Sequence, residues 1–274
     1  MPIVTLTTDI GQQDYIVGAL KGQLLSANPQ ITIVDISHYL THTNFPEAVY
    51  ICKNAFAHFP PKTIHLIIFN FYENKNDNIL IAEFNDQFII CADNGILQMI
   101  TDKAPIDIFA IHINHKEKFL ETTFKIAALV NELAINKKLR LIADPIKNII
   151  VKNNLQPSIS EVWIKGHVIF IDNFENVVTN ITQEIFEREQ KDRKFKIILT
   201  RGEDVEVLSD NYLSVPEGEK LAWFNSAGFL ELAINKGNMA GLFGFQDFNE
   251  LNYKEGKSMQ NKIFYKYVQI NFYE

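Results

Sequence analysis

The sequence predicts an α/β N-terminal domain, a largely parallel sheet covered by helices, followed by a C-terminal antiparallel β-barrel-like domain. Three observations predict it. Strand-like and helix-like runs alternate through the first half, as in strand–helix–strand units. After Asp144-Pro145 the chain changes to short β-rich runs separated by Gly and polar turns. Between the two, "KNNLQPSIS" (Lys152 to Ser160) reads as a linker. The expected division is 1–151 for the α/β domain, 152–160 for the linker and 161–274 for the β domain.

Each element has a local reason. "IVTLTTD" (Ile3 to Asp9) reads as a strand, and "DYIVGALKGQLLSANP" as an amphipathic helix with Ile16, Leu20 and Leu24 on one face. Pro29 marks its end, and "ITIVDIS" (Ile31 to Ser37) is the second strand. "FPEAVYICKNAFAHFP" is a second helix, stopped by Pro60 and Pro61. "TIHLIIFNFYENKNDN" then opens as a buried strand and turns abruptly polar. "ILIAEFNDQFIICADNG" looks like a hairpin turning at Asn85 and Asp86; "DIFAIHIN" is another strand and "TTFKIAALVNELAINKK" another helix. In the second half, "EVWIKGHVIFID", "KFKIILT", "EKLAWFN", "FLELAIN" and "KIFYKYVQINFYE" are the expected strands.

Composition narrows the function. A net charge of −7 over 274 residues gives no clustered basic surface for nucleic acid or anionic membrane. The apolar runs are strand-length, well short of the roughly 20 residues of a membrane span. "MPIVTLTTD" enters a strand at once and carries no basic segment, so it does not read as a signal peptide, and a cytoplasmic location is expected. Cys52 and Cys91 are too few for a disulfide scaffold and read as buried small hydrophobes. The spacings His38/His42 and His112/His115 lie on no convincing helix with a third ligand, so no metal is expected.

Three stretches carry chemistry-bearing residues. In "TTDIGQQD", Asp9 suits the hydrogen bonds of a sugar diol, but Asp9 or Asp14 equally suits a helix cap. Neither the three-glycine dinucleotide fingerprint nor a P-loop is present. "IDNFENVVTNI" gathers Asp172, Asn173, Asn176, Thr179 and Asn180 around Phe174. That set can read an amino-acid head group, and it is also the composition of an ordinary turn. "FNSAGFLELAINKGN" has two Gly-containing turns whose backbone groups can meet a base edge; alone, it is a hairpin signal.

Together these stretches resemble the S-adenosylmethionine hydroxide adenosyltransferase family, relatives of the fluorinase and chlorinase. "TLTTDIGQQDYIVGALKGQLLSANPQITIVDISH" is similar to the family's T-T-D-F-G opening, first helix and V-D-I-T-H strand. "ADNGIL" is similar to its D-N-G-L-L, and "IDNFENVVTNI" to its V-D-x-F-G-N-x-x-T-N-I, with Glu175 in place of glycine. "VPEGEKLAWFNSAGFLELAINKGN" is similar to P-E-G-E…N-S-x-G-x-L-E-I-A-x-N-x-G. The resemblance implies no cofactor, S-adenosylmethionine as substrate or ligand, and a homotrimer. The nucleoside ligand would lie between one chain's α/β domain and its neighbour's β domain. It also implies that Asp9 binds the ribose hydroxyls. Asp172 and Asn176 would hold the methionine head group beside Phe174, with Ser226 helping. Tyr212 would lie against adenine, and the backbone near Ala227 and Ile234 would read the base edge.

The departures from the family pattern fall on its catalytic groups. The family's third strand ends in D-P-G-V-G-T-x-R-R, where this chain has "NFYENKNDN". Asn70 stands in place of the catalytic aspartate, and Asp77 falls about where the family has arginine. The family's T-F-H-G-R-D corresponds to "KFLETTFKIAAL", which either lacks those residues by deletion or puts Glu121 opposite the histidine. Asn70 can orient water but cannot take its proton, and general-base help is typically worth about 10²- to 10⁴-fold. Glu73, Asp77 or Glu121 can replace the base, and Lys75 can hold an anion. The expectation is hydrolysis to adenosine and methionine if catalysis is kept, and a nucleoside sensor or trimeric scaffold if it is not.

Overall fold

The computed structural model describes residues 1–72, 78–102, 107–114, 116–199, 202–245 and 266–274. Contacts divide the chain into two units, 1–154 and 155–274. In the first, β1 (Ile3–Thr8), α1 (Ile16–Ala27), β2 (Thr32–Ser37), α2 (Phe45–Phe56) and β3 (Ile64–Ile68) follow one another as the alternation requires. Leu20 and Leu24 of α1 are fully buried, as its apolar face demands. Asn44 caps α2 by accepting from Glu47 N–H at 3.4 Å, with Pro46 in the first turn where no donor is missed.

The hairpin β4 (Asn78–Phe84) to β5 (Gln87–Ala92) turns where expected, with Asn85 and Asp86 at φ +52° and +61°. Two successive left-handed residues give the twist that a two-residue hairpin needs. After it come α3 (Ile96–Thr101), β6 (Ile108–His112), α4 (Phe119–Ala134) and the short β7 (Asp144–Pro145). The sheet order is β2-β1-β3-β5-β4-β6-β7. β2, β1, β3, β5 and β6 point one way; only β4 and β7 oppose them. One apolar cluster joins the sheet to α1 and α4, and another joins it to α2 and α3, giving helix, sheet and helix layers.

In the second unit, β8 (Ser158–Ile159), which lies in the stretch read as a linker, pairs with β9 (Trp163–Ile171). Then come β10 (Val177–Thr182), α5 (Gln183–Gln190), β11 (Lys194–Ile198), β12 (Lys220–Phe224), β13 (Phe229–Ile234), α6 (Met239–Leu242) and β14 (Tyr267–Tyr273). The order β11-β14-β9-β10-β13-β12 is antiparallel throughout, the expected barrel-like sheet. Its core is filled by Phe186, Phe195, Leu230, Leu232, Met239 and their neighbours. The sequence reading missed α3, β10 and α5, and also the short β7, β8 and α6. Among the described residues no helix is long and apolar enough to cross a membrane.

Both cysteines are buried free thiols, and burial pushes Cys52 up to about 12, which leaves it unreactive. His65 on β3 is likewise a core residue. It is fully buried, stacks on Phe56 at 3.7 Å between centroids and shares a 2.8 Å hydrogen bond with Thr5. Burial lowers its pKa to about 4, so the native imidazole stays neutral while the unfolded one protonates below its ordinary range. The unfolded state then binds more protons, and stability falls as pH drops towards 4. Urea unfolding should show a loss of about 2 kcal/mol between neutral pH and about pH 5 from this residue. The His65→Phe variant, which keeps the ring stack, should lack that component.

Candidate functional site

The chain places its first candidate site by reversing direction in the sheet. From β1 it moves outward to β2, then crosses back through α2 to β3 on β1's other side. Such a switch point opens a crevice beyond the carboxyl ends of the two strands, where ligands bind in open α/β sheets. Asp9 and Asn70 occupy those ends. Asp9 N–H donates to the Ile68 carbonyl at 3.2 Å, and its Oδ2 accepts from Asn70 N–H at 2.9 Å. His42 brings Nδ1 to 3.1 Å from the same oxygen; the Asp9 side chain is 12% exposed and that of His42 is 75% exposed. Asp14 lies just ahead of α1, its Oδ1 accepting from Ile16 N–H at 2.9 Å, while the capping position is Tyr15, which makes no side-chain cap bond.

Asn70 holds a left-handed backbone, φ +43°, at the point where β3 ends. Asn94 fixes that bend by donating from Nδ2 to the Phe69 carbonyl at 2.8 Å and the Asn70 carbonyl at 3.2 Å. Its Oδ1 accepts Ile96 N–H at 3.1 Å, and Gly95 supplies φ +97°, so the "ADNGIL" turn starts α3 while clamping β3. The side-chain Nδ2 of Asn70 is buried and has no hydrogen-bond partner among the described residues. Glu121 is exposed in the first turn of α4, where its Oε2 accepts Lys118 N–H at 2.9 Å in the manner of a capping residue. Asp77, with Glu73, Lys75 and His115, lies outside the described residues.

The second candidate site is a hydrogen-bonded chain in the β unit. Asp172 Oδ1 accepts from the N–H groups of Phe174 and Asn176, each at 2.9 Å, and its Oδ2 accepts from Asn176 Nδ2 at 3.0 Å. Asn176 Nδ2 also donates to the Tyr212 hydroxyl at 3.0 Å, and that hydroxyl donates to Glu231 Oε1. Glu231, only 5% exposed, additionally accepts from Trp223 Nε1 and Asn225 Nδ2, each at 3.1 Å. Burial first, and then the Glu231 carboxylate, hold the Tyr212 phenol well above the ordinary tyrosine range. Trp223 and Glu231 are direct cross-strand neighbours on β12 and β13.

The structure thus joins Asp172, Asn176 and Tyr212. Ser226 is exposed in the adjoining turn, and Ala227 N–H there is already given to Asn225 Oδ1 at 3.0 Å. Ile234 ends β13 at the other side of the hairpin, buried, with its carbonyl taken by Gly237 N–H at 2.9 Å. Phe174 is 78% exposed. Sequence reasoning gave no site role to Glu231, Trp223, Asn225 or Asn94, and weighed His42 only as a metal spacing with His38. Glu231 stands at the glutamate of the quoted L-E-I-A motif, but inside the apolar "FLELAI" alternation alone assigns it to solvent. Among the described residues no group of three or more His, Cys, Asp or Glu is placed to hold a metal ion.

Comparison with known proteins gives the two halves one name. Residues 4–140 match the SAM hydroxide adenosyltransferase N-terminal domain, and residues 166–251 match the C-terminal domain. The chain belongs to the SAM hydroxide adenosyltransferase family. The (R)-S-adenosyl-L-methionine hydrolase of Methanocaldococcus jannaschii is 26% identical over 262 residues, 92% of this chain and 95% of that protein. An uncharacterized conserved protein from Thermotoga maritima shares the fold, with a TM-score of 0.78 at 24% identity over 98% of this chain and 99% of its own. A conserved hypothetical protein from Thermus thermophilus does so at a TM-score of 0.70 and 19% identity, with 100% of both chains covered.

Family membership gives Glu175 a physical meaning, because it stands where the motif has glycine. It has φ +64°, a left-handed conformation that a side chain makes costly by about 1 kcal/mol. Glu175→Gly should therefore raise the thermal stability of the β unit by about 1 kcal/mol, read by calorimetry, since glycine takes this conformation without a Cβ clash.

Proposed function

We propose that the protein binds S-adenosylmethionine and hydrolyses it to adenosine and L-methionine, with water attacking the ribose 5′ carbon. The observation that carries this reading is the match of both halves to the domains of this family, together with Asp9 and Asn70 at the switch point. Asp9 would accept from the ribose hydroxyls through Oδ1, which has no partner among the described residues, while Oδ2 is held by Asn70 N–H. The name of the archaeal relative extends to this chain the proposal that the (R) epimer at sulfur is the substrate.

The head group would meet Asp172 and Asn176. Both hydrogens of the Asn176 amide are committed, to Asp172 and Tyr212, so the group it offers a ligand is its carbonyl oxygen. Asn176 and Asp172 would therefore receive the methionine ammonium together, leaving the carboxylate to Ser226 and nearby backbone. Tyr212, edge-on to Trp223 at 4.9 Å, would face adenine near Ala227 and Ile234. We further propose a homotrimer that carries each ligand between one chain's α/β unit and a neighbour's β unit. The strong exposure of Phe174 (78%) and Leu213 (89%) beside the Asp172–Tyr212 chain supports such a covering neighbour.

A second reading, binding without turnover, draws on Asn70 standing where the family has aspartate. Calorimetric titration with each epimer, followed by chromatography after long incubation, separates the two. Hydrolysis requires adenosine and methionine above the buffer control, and a sensor leaves the bound ligand intact. Asp172→Asn should weaken binding by about 2 kcal/mol in either case, through loss of the charge that meets the ammonium. Unchanged melting with both S-adenosylmethionine and adenosine would overturn both readings, because a ligand of the native state must stabilise it.

A further inference from the structure

We propose that His42 is the general base of this protein, taking over the proton that the residue at position 70 cannot accept. The inference rests on the hydrolytic reading above and names the group that performs it. It starts from the two atoms that share Asp9 Oδ2: Asn70 N–H at 2.9 Å and His42 Nδ1 at 3.1 Å. A carboxylate oxygen only accepts, so the hydrogen lies on Nδ1 of His42. That fixes the neutral tautomer and leaves Nε2 as a bare acceptor, the arrangement by which a carboxylate orients a histidine base. Nε2 makes no hydrogen bond among the described residues.

The backbone that carries His42 is held on both sides. Leu40, buried, donates its N–H to the Thr8 carbonyl at 3.3 Å, which ties the loop to the end of β1. On the other side, the buried Glu47 carboxylate accepts from Thr41 N–H at 3.4 Å and Asn44 Nδ2 at 3.0 Å. Thr43 takes the left-handed turn between them, φ +65°. The imidazole therefore projects from a braced loop towards the one carboxylate that also binds the position-70 backbone.

Asn70 supplies the complementary half. Its buried Nδ2 lacks an acceptor among the described residues, and a buried donor without an acceptor costs about 1–3 kcal/mol. A water oxygen at the switch point would satisfy it. In the step, a lone pair of that oxygen forms the bond to the ribose 5′ carbon, and the carbon–sulfur bond breaks with its electron pair moving to the sulfonium sulfur. The water proton passes to His42 Nε2. The products are adenosine, neutral methionine thioether and imidazolium, which loses its proton to bulk water through a side chain that is 75% exposed.

The test measures adenosine formation and S-adenosylmethionine affinity for the full chain and for His42→Ala and His42→Asn. An asparagine amide nitrogen replaces Nδ1 towards Asp9 but offers nothing at Nε2. Both variants should keep binding within about threefold and lose about 10²-fold or more in rate, with added imidazole restoring at least about tenfold to His42→Ala. Full activity in His42→Asn would make His42 a support for Asp9 and overturn the assignment. So would a rate loss in His42→Ala that imidazole does not rescue. Binding by the native chain with no adenosine formed would overturn the base and the hydrolytic reading together while leaving the binding site standing. No binding by the native chain would overturn the functional reading itself.

Discussion

Parallel pairing of β1 with β3, in the register Leu6 to Leu66 and Thr8 to Ile68, decides where everything else in the α/β unit can act. Both strands are buried on both faces, so their register is set by the side chains they bury, and a slip of one residue would turn every one of them over. The pairing brings Asp9 beside residues 69 and 70 although about sixty positions of sequence separate them. It also puts them at the reversal of strand order, beyond the carboxyl ends of the strands. The left-handed backbone at Asn70 is one that asparagine tolerates better than most residues. The two hydrogen bonds from Asn94 and the one to Asp9 hold that bend in place.

The β unit solves a related problem by burying a charge. Glu231 has no cation beside it among the residues it bonds; three neutral donors, from Tyr212, Trp223 and Asn225, replace its water. Burying a carboxylate is tolerable only with such a shell. The consequence runs outward, because Glu231 orients the Tyr212 hydroxyl, the hydroxyl orients the Asn176 amide, and the amide braces Asp172. A ligand meeting Asp172 would find a group already ordered from the core. Preorganisation of this kind spares the ligand the cost of ordering the side chains itself.

Displacement at a sulfonium-bearing carbon asks little of a protein beyond placing water and removing its proton, because the leaving group is already charged. On the proposed reading, the polar groups around the reacting water can therefore change while the groups that bind the ligand stay. If His42 is the base as proposed, an imidazole reaching in from the loop before α2 would present a lone pair to water much as an acidic base at position 70 would. The 75% exposure of the His42 side chain would let such a base return its proton to solvent each turnover.

Much of this was determined by the sequence alone. Continuous apolar runs marked β1 and β3, one-faced periodicity marked α1, α2 and α4, and Asn85-Asp86 marked the hairpin turn, because each signal lies within a dozen or so residues. The motifs around Asp9 and Asp172 were legible for the same reason. What failed locally failed for a physical cause. β10 hides behind Thr179 and Asn180, whose side chains bond the Leu230 carbonyl, His167 N–H and Leu155 carbonyl, so a strand has the composition of a turn. α3 is six residues, too short to show a period. Glu231 is solvent-facing by alternation, and His42 was weighed only as a metal spacing with His38. Only the tertiary structure buried the first and set the second against Asp9, because both depend on which distant strands lie side by side, and that is set by burial across the whole chain.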